Sequence, residues 1–176
     1  MDTDLRIRTA RDSDVDSLWE IIREIAATAE TMPMPREPEQ AEALNGWMTP
    51  PPGRVVVAAD SSDTVLGTAN MHANRPAQGS HIASGSIMVA QPARGRGVGR
   101  ALVRDMIDWA GRTGFAAIQF NAVVETNAPA VGLYRSEGFT IIGTAPGAFV
   151  HPRLGEVGLH IMWRQLRPLP LSHRVG

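Results

Sequence analysis

The chain has 176 residues, 43% of them hydrophobic, and a formal net charge of −1 at pH 7. That length suits one domain around one core, and so small a charge excludes a general nucleic-acid coat, which needs a strong basic excess. There is no cysteine, which excludes disulfides, thiolate metal sites and a cysteine nucleophile.

All 17 basic residues are arginine. No run of about 18 apolar residues is present, so no membrane span is expected. Met1 to Asp4 shows no basic-then-apolar pattern, so no signal peptide is expected either, and a cytoplasmic location follows by default.

Leu5 to Arg8 alternates apolar and charged residues, as a half-buried strand does. Asp12 or Ser13 then opens a helix whose stripe is Val15, Leu18, Ile21, Ile22 and Ile25. Three prolines between Met32 and Pro38 end it. A short helix over Glu39 to Met48 follows, and Pro50 to Gly53 is a hard turn. Arg54 to Ala59 and Val65 to His72 read as two strands joined by the turn Asp60 to Asp63. His81 to Ala90 is a further strand, and Gly85 within it marks a bulge or a close backbone approach.

Val98 to Arg112 carries the clearest helical stripe, ended by Gly114. In the strand Phe115 to Val124, Ile118, Phe120 and Ala122 share one face, with Gln119 and Asn121 on the other. Asn127 caps a short helix reaching to about Gly138. Phe139 to Thr144 and Val157 to Leu166 are the last strands, with Pro146 to Gly155 a loop between them. The order is β-α-α-β-β-β-α-β-α-β-β, an α/β fold with a mixed sheet. One domain is expected over residues 1–166, with a loose tail at 167–176.

The turn Arg94-Gly95-Arg96-Gly97-Val98-Gly99 sits between a strand and a helix. The first N–H groups of a helix lack partners and the helix dipole is positive there, so this is a place for an anion. Glycines allow close approach, and Arg94, Arg96 and Arg100 add charge, which suits a diphosphate. A P-loop is excluded because it requires a lysine, and neither register of the glycines gives the dinucleotide-binding pattern G-x-G-x-x-G. A glycine-rich connector without ligand is the plain alternative.

Val89-x-x-x-x-Arg94-x-x-Gly97-x-Gly99 on a strand-to-helix junction resembles motif A of the Gcn5-related N-acetyltransferase (GNAT) superfamily. Downstream, Asn127-x-x-Ala130-x-x-x-Tyr134-x-x-x-Gly138-Phe139 resembles its motif B. The element order from residue 5 to 166 agrees with the same family. The resemblance implies a single-domain GNAT fold: a mixed, mostly antiparallel sheet of about seven strands, splayed between strands 4 and 5, with four helices. It implies acetyl-CoA as acetyl donor, and a homodimer, which is common among relatives.

Carried over, the resemblance implies that the backbone at Met88 and Val89 meets the pantetheine arm and that residues Arg94 to Arg100, Val98 included, hold the diphosphate. Asn127 and Ala130 would meet the arm from the other side. Tyr134, the one tyrosine of the chain, takes the position of the general acid; an unperturbed phenol with a pKa of about 10 can donate at neutral pH. The amine acceptor must lose a proton before attack. Glu125, just past the strand end, is the first candidate base, with Ser84 and Ser86 as holders of a relay water. The histidines show no ligand spacing, so no metal is expected.

The acceptor site is expected from the segments Thr31 to Pro38, including Met34, and Ala145 to Gly155. Asn121 reads as a buried strand amide that must find partners, a ligand slightly ahead of a loop. No acidic run greets a polycation. A small-molecule amine, an amino acid or analogue, is therefore expected in a pocket between Asn121, Ser84 and the Thr31 to Pro38 loop. Phe120 to Asn127 also resembles fungal acetyltransferases of proline analogues, which carry two asparagines at this spacing but an asparagine where this chain has Ser84. Protein N-terminal acetylation and a silent CoA-binding module are the alternatives. No nucleic-acid or membrane partner is expected.

Overall fold

The computed structural model describes residues 5–168. The expected tail from Arg167 therefore lies almost wholly outside the described residues. The elements are β1 (Arg6–Thr9), α1 (Val15–Thr28), α2 (Gln40–Trp47), β2 (Arg54–Ala59), β3 (Val65–Ala73), β4 (Ile82–Val89), α3 (Val98–Thr113), β5 (Ala117–Val124), α4 (Ala128–Ser136), β6 (Thr140–His151) and β7 (Gly155–Gln165). All seven strands form one sheet in the order β1-β2-β3-β4-β5-β7-β6. Its only parallel pair is β4 with β5; the other neighbours are antiparallel. The expected fold class stands. Among the described residues, no helix is long and apolar enough to cross a membrane.

Two apolar layers cover the sheet. α3 buries Val98, Leu102, Val103, Met106 and Ala110 against Val56, Ala69, Met71 and Ala83 on one face. On the other face Ile21, Ile22 and Ile25 of α1 pack with Trp47, Val55 and Met88. Asp14 ends the 3-10 turn that opens α1. Its carboxylate accepts from the Arg11 amide at 2.7 Å and from both terminal nitrogens of Arg8 at 2.6 and 2.9 Å. Arg8 holds that carboxyl below the usual carboxylate range, so it stays ionised and tied to β1. Trp47 is pinned to β3: its indole donates to Thr68 Oγ1 at 3.1 Å, and its carbonyl accepts from Asn70 Nδ2 at 3.2 Å.

Two expectations fail. Pro146 to Gly155 is not a loop; β6 runs on to His151, and only residues 152–154 turn before β7. Pro146 and Gly147 are accommodated because β6 is an edge strand and its register with β7 shifts between Ala145 and Phe149. A proline needs no ladder partner on an open edge, and a bulge absorbs the extra residues. In β5, Ala122 does not continue the face of Ile118 and Phe120. The register with β7 shifts between Phe120 and Val123, which brings Val123 into the core instead.

Candidate active site

β4 and β5 pair only at Ile82–Ala117 and Ala83–Ile118. Beyond Ala83 they part, leaving the β5-facing backbone of β4 without a strand partner. A cavity of about 1100 Å³ opens at the split. At Gly85 the backbone of β3 lies close against β4: a Cβ there would stand 2.1 Å from the Asn70 carbonyl oxygen. The glycine read as a close backbone approach is one.

At one end the cavity reaches the first turn of α3. Gly97 is its N-cap with φ 83°, and Gly95 has φ 75°. These left-handed conformations are why glycine is needed here, in addition to the room it leaves. Arg94, Gly95, Gly97, Val98, Gly99 and Arg100 line this end. Arg96 is exposed and does not. Arg100 donates to Ser136 at 3.1 Å and to the Glu137 carboxylate, which Arg104 also binds at 3.1 Å. Its charge is thus shared with α4, and the pair of arginines holds the Glu137 carboxyl below its usual range.

Met88, Val89, Asn127, Ala130 and Tyr134 all line the same cavity. Asn127 caps α4, its Oδ1 accepting from the Ala130 amide at 3.3 Å. The Tyr134 ring rests against Phe120 and Phe139, with centroids at 4.6 and 5.9 Å. Burial pushes its phenol up to about 12, so it is a proton donor and not an acceptor at neutral pH.

Asn121, Ser84 and Met34 line the cavity too. Asn121 is exposed to it, not buried in apolar surroundings as expected. Nδ2 donates to Ser84 Oγ at 3.4 Å, beside which it was expected, and also to Asn74 Oδ1 at 2.7 Å, while Oδ1 accepts from Gln119 at 2.7 Å. The loop at 31–38 lines the cavity through both methionines and all three prolines. The segment 145–155 does not. Its turn instead reaches the end of α1, where Arg153 pairs with Glu30 at 2.5 Å.

Glu125 is also turned away. Its carboxylate accepts from the Gly158 amide at 2.5 Å on β7, and it does not line the cavity. Conversely, Asn70, His72 and the carboxylates of Glu37, Glu39 and Glu42 line it without having been singled out. Asn70 and His72 carried a signal: with Thr68 they form a period-two polar row in an otherwise apolar strand. The three glutamates lie close together in the chain, in the loop before α2 and on α2 itself.

The cavity is therefore polarised, with arginines at the α3 end and glutamates at the α2 end. Comparison with known proteins gives this arrangement its context. The model of the acetyltransferase (GNAT) family matches residues 18–139. A solved GCN5-related N-acetyltransferase from Kribbella flavida is 56% identical, covers 93% of this chain and 98% of its own, and superposes with a TM-score of 0.90. A phosphinothricin acetyltransferase from Sinorhizobium meliloti, solved with AcCoA, is 25% identical over 97% of this chain and 95% of its own, with a TM-score of 0.79.

The chain is also 32% identical over 95 residues to N-acetyltransferase aca1 of Schizosaccharomyces pombe, 54% of this chain. It is 33% identical over 93 residues, 52% of this chain, to an L-methionine sulfoximine/L-methionine sulfone acetyltransferase of Pseudomonas aeruginosa. These matches span about half the length of those two relatives, 46% and 54%. A family match across most of the chain, on a sheet that splits between its one parallel pair of strands, places this protein among the GNAT acetyltransferases, enzymes of the acyltransferase class.

Proposed function

We propose that the protein acetylates the amine of a small molecule, an amino acid or an analogue of one, with acetyl-CoA as donor. The observation that carries this is the single cavity at the β4–β5 split, with a helix N-terminus at one end and polar side chains at the other. The residues fit acetyl-CoA. The unpaired amides of α3 and Arg94 suit its diphosphate. The free backbone of β4 near Met88 and Val89 suits its amide-bearing arm, in the manner of an added strand. Acetyl-CoA would supply the acetyl group as a thioester.

In this reading a β4 amide near Val89 polarises the thioester carbonyl. Asn127 and Ala130 border the arm, and Tyr134 faces the sulfur as hydrogen-bond donor. The acceptor sits on Asn121 and Ser84 under the loop at 31–38. Glu37, Glu39 and Glu42 draw an ammonium group toward the mouth. A relative that acts by name on methionine sulfoximine and sulfone supports the amino-acid class.

The test is acetyl-CoA turnover against a panel of α-amino acids, including L-methionine sulfone, other small amines and peptide N-termini, read as free thiol. Amino acids should lead. Faster turnover of peptides would favour protein acetylation, and no turnover with any amine would leave a CoA-binding module.

Gly97→Glu should weaken CoA binding at least tenfold, about 1.4 kcal/mol. It places a carboxylate beside the diphosphate and forces a non-glycine residue to φ 83°. Unchanged affinity by calorimetry in a folded variant would move the diphosphate elsewhere. Asn121→Ala should raise the acceptor KM several-fold, roughly the worth of a lost hydrogen bond, and leave CoA affinity intact. A fall in CoA affinity with no change in acceptor KM would remove Asn121 from the acceptor site.

A further inference from the structure

The displacement of Glu125 onto Gly158 leaves the acceptor's ammonium without its first candidate base. The other titratable side chains around the cavity answer poorly to that need. Tyr134 on α4 holds its proton at neutral pH. Arg94 and Arg100 stay charged and lie at the α3 end. Glu37, Glu39 and Glu42 are exposed at the mouth, in the loop after α1 and on α2. Arg54, the charged residue of β2 nearest in register, sits opposite Met71 on the α3 face and pairs with Asp105 at 3.3 Å.

His72 differs from all of these. It lies on β3 directly opposite Ser84 in the β3–β4 register, with Asn70 opposite Ser86. Directly opposite residues share a face of the sheet, so His72, Asn70, Ser84 and Ser86 form one polar patch on the cavity floor. Asn121 of β5 joins it through Ser84. The His72 ring is half-buried, and its Nδ1 stands 2.9 Å from the Ala73 carbonyl oxygen. A carbonyl only accepts, so Nδ1 must carry the proton when the ring is neutral. The lone pair is then on Nε2, which has no hydrogen-bond partner among the described residues.

We propose that His72 is the base that deprotonates the acceptor amine, with Nε2 as the receiving atom. This rests on the acetyl-transfer reading. The ammonium form of the acceptor gives one proton to Nε2 and becomes a neutral amine with a lone pair. The imidazolium returns that proton to solvent through the cavity mouth. The amine then forms the N–C bond as the C–S bond breaks, and its second departing proton ends on the sulfur. One proton is released per turnover of an ammonium acceptor. The backbone bond at Nδ1 does for His72 what a carboxylate does in other acid–base sites: it selects the tautomer and holds the ring.

The assignment is tested with wild type, His72→Gln and His72→Asn, each checked for folding by thermal unfolding. The Asn amide can keep the bond to the Ala73 carbonyl but offers no basic nitrogen. At pH 7 both variants should lose about 100-fold in kcat/KM for the best amino acid of the panel, as general-base catalysis contributes. Wild-type kcat/KM should rise from acidic pH and then level off. The variants should keep climbing through the range where wild type is flat, since hydroxide then does the work. CoA affinity by calorimetry should not change.

The second readout needs no turnover: long-range ¹H–¹⁵N spectra of the free protein should show the neutral His72 ring protonated on Nδ1. Variants that keep wild-type rates and profile, or a neutral ring protonated on Nε2, overturn the assignment while leaving the acetyl-transfer reading intact. Wild type that acetylates no amine overturns that reading, and the role of His72 with it.

Discussion

Tyr134→Phe is expected to lower kcat by about 100-fold to 1000-fold while changing the KM for acetyl-CoA little. The ring makes the packing contacts with Phe120 and Phe139, and phenylalanine keeps it. What is lost is one donor in a cavity, the kind of group whose removal costs that much when it serves the transition state alone. The pKa of about 12 narrows the role. Against about 8.5 for an ordinary thiol, full transfer of the phenol proton to the departing sulfur is uphill by roughly 5 kcal/mol. In the proposed reading Tyr134 would act by holding a hydrogen bond to the sulfur as charge builds there. The sign of the pH dependence follows. A phenol raised to about 12 keeps its proton throughout the working range, so any alkaline loss of activity below about pH 11 must come from another group. A wild-type kcat in Tyr134→Phe would exclude this role.

Gly85→Ala should be the most damaging methyl group that can be added to the site. The new Cβ would stand 2.1 Å from the Asn70 carbonyl oxygen and 2.7 Å from Met106 Cε. Met106 can adjust, but a backbone carbonyl in the middle of the β3–β4 ladder cannot move without breaking register. Overpacking of this kind costs about 3 kcal/mol or more, a drop in Tm on the order of 10 °C for a domain of this size. The damage should also reach function. Asn70 accepts from the Ser86 amide at 2.8 Å and donates to Trp47, so pushing it out disturbs both the cavity floor and the anchor of α2. Unfolding of wild type and variant by heat checks the first effect. An unchanged Tm would mean that β3 and β4 do not approach as closely as described.

Much of this protein is written locally. The turn Arg94 to Gly99 and the cap at Asn127 depend on residues within a few positions of each other, and both stand where the residues imply. Helical stripes and strand alternation likewise foretold the element order, because the period of burial is a property of each segment alone. The register of Tyr134 with Asn127 and Ala130 on one helix placed all three at one cavity.

Side-chain partners across the sheet are another matter. Glu125 reads as a free loop carboxylate until β7 presents the Gly158 amide to it. Asn121 reads as a buried amide until Asn74 arrives from 47 residues away. Ala122 loses its place in the core to a register shift that belongs to the β5–β7 pair and not to β5. The turn-forming residues Pro146 and Gly147 are carried inside β6 because that strand lies at the open edge. His72 comes to lie opposite Ser84, and at the cavity, only when β3 and β4 pair. The sequence by itself determined the order of the elements, the glycine turn at the start of α3 and the family. Which polar groups share the cavity was decided by strand register and helix docking, since a hydrogen bond between distant residues forms only where packing brings its two ends together.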